Sequence, residues 1–140
     1  MEKLKPYSAS ILAVVGFLLV AMGIYFVFMR PPLLPEDLRY MQTTLSVVNN
    51  AASGLQTWLQ KVFWVLGSFI FTTGLMTIFM ALTAFRERTQ GAFFIVAITG
   101  MSSIGFMTIV NFSINSDFKW VLLAFTLPWL MALLLYRLHK

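Results

Sequence analysis

The sequence has no cysteine and a single histidine among its 140 residues. The first absence excludes disulfides, thiolate catalysis and cysteine-ligated zinc or iron–sulfur centres. The histidine, His139, stands next to Lys140 at the end of the chain and reads as a solvated tail residue. No histidine is therefore placed to hold a haem between helices. Charge is scarce as well: 11% of residues are Asp, Glu, Lys or Arg, against about 25% in a soluble domain. None of these, nor the histidine, falls inside a long apolar run. Ionisable groups within a membrane span are the usual sign of proton or ion coupling, so their lack argues against a coupled transporter. Basic residues are spread over the ends of the apolar runs. They form no clustered stripe, and nucleic acid is not a partner.

What is abundant is apolar sequence, 59% of the chain, in runs long enough to cross a bilayer. The sequence predicts an all-α polytopic membrane protein in one domain. Its spans are expected at about 8–29, 62–85, 92–112 and 118–136. Lys3 and Lys5 before the first run resemble the start of a signal peptide. That run ends in Arg30-Pro31-Pro32 without a small-residue cleavage site, so it reads as an uncleaved anchor. Gly16 and Gly23 lie seven residues apart on one face and could admit a close helix. The plainer reading, taken here, is that glycine is simply common in membrane helices.

The stretch from Arg30 to Lys61 is the longest one outside the spans. Pro31 and Pro32 stop the first helix and force extended backbone, making an elbow over 30–35. Pro35-Glu36-Asp37 then opens a helix, with proline at the first position and two acids at the positive end of the dipole. Glu36 and Asp37 read as helix-start charges and not as a metal or acid–base pair, because neighbours on a helix do not share a face. Leu38, Met41, Leu45, Val48, Ala52, Leu55 and Leu59 recur at spacings of three and four, the pattern of a heptad seam. A single amphipathic helix is expected over about 35–60, outside the membrane. Gly54 and Asn49-Asn50 are the places for a break. The opposite face is polar but nearly uncharged, unlike the basic face of lipid-surface binders. This favours protein contact, within the chain's own bundle first, with a partner helix or the bilayer surface as the remaining readings, and makes the seam the candidate interaction surface.

The second span carries Gly67, Thr73, Gly74 and Thr77. Intramembrane threonines usually bond to their own helix carbonyls. The third span is richest in small residues, Gly100, Ser102 and Gly105 among them, and is expected to be the central, most contacted helix. Asn115 or Ser116 can cap the fourth helix, which Pro128 should kink.

Basic residues set the orientation. Lys3, Lys5, Arg86, Arg88, Arg137 and Lys140 lie on one side, and Arg30, Arg39, Lys61 and Lys119 on the other. Both termini are predicted in the cytoplasm and the Pro35 helix outside. The size and four-span plan are similar to small multidrug transporters, but those depend on a glutamate within the first span, which is missing here. The segment RPPLLPEDLRYM resembles one seen in small uncharacterised bacterial inner-membrane proteins. The resemblance covers about a dozen residues; it implies a bacterial inner membrane and a shared structural device, and no activity.

The expected function is non-enzymatic, with no cofactor and no metal. The chain reads as an accessory or scaffold subunit in the lipid bilayer, forming a homo-oligomer or joining a larger membrane complex by helix packing. The alternative is an uncoupled small-molecule or lipid transporter or channel. Its path would run between spans three and four around Pro128, past Ser102 and Gly105.

Overall fold

The computed structural model describes residues 5–138, with side chains from Tyr7 to Leu138. Lys3, His139 and Lys140, used above for orientation and for the tail, lie outside the described residues. All regular structure among the described residues is helical. Helix α1 spans Lys5–Phe28, α2 Pro35–Tyr40, α3 Leu45–Ala51 and α4 Leu55–Leu82. The third span is α5, Ala92–Gly100, a π-turn at Met101–Gly105, and α6, Phe106–Ser113, and the fourth is α7, Lys119–Leu138. Four stretches are long and apolar enough to cross a membrane: Tyr7–Phe28, Leu55–Leu82, Ala92–Ser113 and Lys119–Leu138. The chain is an all-α membrane protein with four spans.

Helix α1 is the centre, which corrects the expectation that the third span would be. One third of α1's most apolar window is buried (33%), against 22% for each other span. It packs along α4 on one side and along α7 on another, while the third span packs mainly on α7 and touches α4 little. Glycines account for the α1–α4 contact. A Cβ added to Gly23 would lie 2.6–2.7 Å from the backbone N and Cα of Phe71, and one added to Gly74 would lie 2.6 Å from the backbone N of Val20. Gly16 faces the Gly74 carbonyl, and Gly67 faces the Gly23 carbonyl, at 2.9 Å each by the same measure. With no Cβ on either side, the antiparallel backbones come into direct contact, and dispersion over that surface holds them where lipid offers no hydrophobic drive. The Gly16–Gly23 spacing is thus a packing device and not compositional background.

The small residues of the third span are used differently. Ser102 and Ser103 both donate to the Thr99 carbonyl, at 3.2 and 2.6 Å, at the start of the π-turn, where hydroxyls can meet backbone acceptors that the wider turn displaces. Gly100 makes room for the Trp129 indole, whose Nε1 donates to the Val96 carbonyl at 3.0 Å. Thr108 and Thr126 share a buried hydroxyl contact of 2.7 Å between the third and fourth spans. Pro128, within α7, sits beside this closed seam.

The predicted helix over 35–60 is broken twice. At the first break Gln42 takes φ +53°, with Gln42 N–H to the Arg39 carbonyl at 3.2 Å and Thr43 N–H to the Leu38 carbonyl at 3.1 Å. This pair of bonds is a Schellman stop. The second break, at 52–54, leaves Gly54 as the cap from which α4 starts, about two turns before the expected second span. Thr44 caps α3 by accepting from Val47 N–H. Gln56 Nε2 donates to Asn49 Oδ1 at 2.6 Å, tying α3 to the start of α4.

Candidate functional site

Because the third span barely meets α4, a groove runs between them with α1 as its floor. It holds two cavities in line. One, of about 560 Å³, lies in the half near the proline elbow; the other, of about 430 Å³, lies in the half near the chain ends. The walls of the first are apolar: Leu18, Met22 and Phe26 from α1, Leu66 from α4, Val110 from α6 and Phe125 from α7. Over its elbow end stand Arg30, Glu36, Asp37, Asn111 and Ser116.

The elbow builds this polar end from a few local rules. Arg30 follows α1 and folds back under the prolines, donating to the Pro31 carbonyl at 2.8 Å and to Asp37 Oδ2 at 3.4 Å. Its guanidinium centre stacks 3.5 Å from the centroid of Phe63 and 5.4 Å from that of Phe26. Only 10% of the Arg30 side chain is exposed. Burial lowers its pKa, and Asp37 opposes the shift. A guanidinium stays protonated even so. Asp37 Oδ2 also accepts the Leu34 N–H at 2.8 Å, the acid's half of a capping box. Leu34 has no acceptor to return it.

Glu36 has a different fate. It is 4% exposed. Ser116, on the loop before α7, donates to its Oε1 at 3.2 Å and takes the Phe118 N–H at 3.1 Å. A second link joins the same two segments at the surface: Arg39 pairs with Asp117 at 2.9 Å and donates to the Asn115 carbonyl. Helix α2 is therefore a lid, bonded across about eighty residues of sequence to the turn between the third and fourth spans. That turn is itself a Schellman stop, with Asn115 at φ +53°. Ser116, and not Asn115, supplies the cap before α7.

The second cavity is lined by hydroxyls from facing helices, Thr72, Thr73 and Thr77 on α4 and Thr99 and Ser103 on the third span. Each donates to a carbonyl of its own helix, as expected. The chain-end side of the bundle is closed by aromatics. Phe85, 1% exposed, lies 4.4 Å from Tyr136, and Arg88 donates to the Tyr136 carbonyl at 3.0 Å.

The seam residues do not form one surface. Val48 is buried, Leu38, Leu55 and Leu59 are half-buried, and Met41, Leu45 and Ala52 are exposed. Gly100 is under Trp129, and Gly105 is buried beside Met101 Sδ. Ser102 is exposed and lines neither cavity. Pro128 lines neither cavity, and Trp129 and the Thr108–Thr126 contact fill the space near it; the chain-end cavity lies between α4 and the third span, while the elbow-end cavity is walled by α7 as well, through Val121, Leu122 and Phe125. Sequence reasoning missed Glu36 as a buried group. Its partner is Ser116, and no local pattern links the two. Among the described residues no three His, Cys, Asp or Glu side chains gather as a metal site. Comparison with protein-family models, with curated proteins and with solved structures returns no match.

Proposed function

We propose that this chain is a non-enzymatic membrane protein that holds a lipid in the groove between α4 and the third span. The observation that carries this reading is the elbow-end cavity: apolar walls at membrane depth, topped by buried polar groups under the α2 lid. That arrangement matches an amphiphile, whose chains gain from apolar contact and whose head needs polar partners. It is the lipid-handling alternative of the sequence reading, moved away from Pro128, Ser102 and Gly105 to the elbow end, where α1 and α4 join the third and fourth spans. The test is the count of lipid molecules that survive extraction in mild detergent, read by native mass spectrometry. Wild type should retain lipid. Val110→Trp, which fills the cavity, should lose it, and Ser102→Trp, on the outer face of the third span, should keep it. Equal retention in all three overturns the proposal.

The accessory or scaffold reading has its own support. Tyr40, Met41, Leu45 and Val47, on the segment between α1 and α4, and Trp58, in the first turn of α4, are all more than 40% exposed. Such apolar exposure suits a homo-oligomer or a larger membrane complex. We place the elbow outside and both termini in the cytoplasm of a bacterial inner membrane, on the distribution of basic residues and the RPPLLPEDLRYM resemblance.

A further inference from the structure

The polar end of the elbow cavity is unbalanced. Arg30 and Asp37 form an ion pair, and the other pair among the described residues, Arg39–Asp117, is at the surface. Glu36 lines the cavity with a hydroxyl as its partner and no cation in salt-bridge contact. One positive and two negative groups face the same space. Arg30 acts on Glu36 electrostatically from beyond contact, but it is shared with Asp37, and removing a carboxylate from water is tolerated when a cation compensates. Asn111 lines the cavity too. Its Nδ2 donates to the Met107 carbonyl at 2.9 Å, which leaves the amide oxygen to accept. The polar end thus presents acceptors and an excess of negative charge, and its one cation is already engaged by Asp37 and the Pro31 carbonyl.

Resting on the lipid-holding reading, we infer that the groove selects a lipid with a primary ammonium headgroup, and that Glu36 is its counter-charge. An ammonium brings three N–H donors and one positive charge, the complement of this end. A quaternary ammonium brings the charge without donors. An anionic headgroup such as phosphatidylglycerol brings a like charge into a low-dielectric site, where repulsion is strong. The chains lie against Leu18, Met22 and Phe125; the phosphodiester is common to phosphatidylethanolamine and phosphatidylglycerol, so the ammonium alone distinguishes them at this end.

The full chain is placed in nanodiscs with equal parts of phosphatidylethanolamine, its mono-, di- and trimethylated forms, and phosphatidylglycerol, all with the same acyl chains. It is then extracted, and the retained lipid is identified by native mass spectrometry for wild type and Glu36→Gln. Wild type should enrich phosphatidylethanolamine over phosphatidylglycerol by at least about tenfold, roughly what one charge-assisted hydrogen bond supplies. Retention should fall stepwise as methyl groups replace N–H donors. Glu36→Gln should still retain lipid but without the preference. Lipid retained by wild type with no headgroup preference, or with preference for phosphatidylglycerol, overturns the headgroup assignment and leaves the groove reading standing. So does a preference that survives Glu36→Gln. Wild type without lipid, or with a second copy of the chain in its place, overturns both. If Glu36→Gln does not fold, the methylation series on wild type decides, and flat retention along it ends the inference.

Discussion

Arg30 shows how one side chain can organise a turn. Its planar guanidinium stacks on Phe63 while its edge bonds the Pro31 carbonyl and Asp37. A lysine keeps the charge but loses the stacking plane and the fork of donors. Arg30→Lys should cost about 1–2 kcal/mol, from a lost cation–π contact and a lost hydrogen bond. Thermal unfolding in detergent checks this, and an unchanged midpoint would show that the stacking is idle. Gln42 is the opposite case, a residue working against its own backbone preference at φ +53°. Glycine adopts that region without a Cβ clash. Gln42→Gly should therefore stabilise by about 0.5–1 kcal/mol, net of the added freedom of the unfolded chain. A destabilised variant would mean that the Gln42 side chain has a role beyond the turn.

Among the elements, the α1–α4 pair is the most tightly specified. At Gly23 the atoms that a side chain would meet are backbone atoms of Phe71, which cannot swing aside. Gly23→Leu should cost at least the roughly 1–3 kcal/mol typical of overpacking and separate the two helices. Gly54→Ala, where an added Cβ meets nothing within 4 Å, is the matched control. A distance measured between spin labels on α1 and α4 should lengthen in the first and hold in the second. Equal behaviour would mean that the helices are held by something other than glycine contact. The third and fourth spans rely on polar contacts instead. Trp129→Phe keeps the ring against Gly100 but leaves the Val96 carbonyl without the indole donor, and should cost about 1 kcal/mol.

At the scale of the molecule, the four spans form an open arrangement around α1, with the groove on one side and the α2–α3 segment over one end. Leu45 is 43% exposed, so Leu45→Glu should fold as wild type does. If the segment contacts a partner, the variant should have a smaller mass in mild detergent. If both have the same mass and the same lipid content, assembly through this segment is ruled out. The proposed orientation carries its own check. A reporter fused after Lys140 should be active only in the cytoplasm.

The sequence by itself determined the class, the four spans, the elbow and the start of α2 at Pro35. Each follows from local rules: run length against bilayer thickness, missing N–H groups, and acids at a helix start. It also told correctly that the threonines facing the second cavity bond to their own helices. Tertiary structure decided which helix is central, because Gly16 and Gly23 matter only when Gly67 and Gly74 arrive opposite them. It decided that the heptad pattern over 35–60 would not hold as one helix, since a Schellman stop at Gln42 carries none of the usual Gly or Asn signal. It also separated Glu36 from Asp37. The two acids are adjacent and chemically alike, yet one caps its own helix and the other is buried against Ser116, eighty residues on. Burial of a charge depends on what the distant chain brings to cover it, and no spacing rule within α2 contains that information.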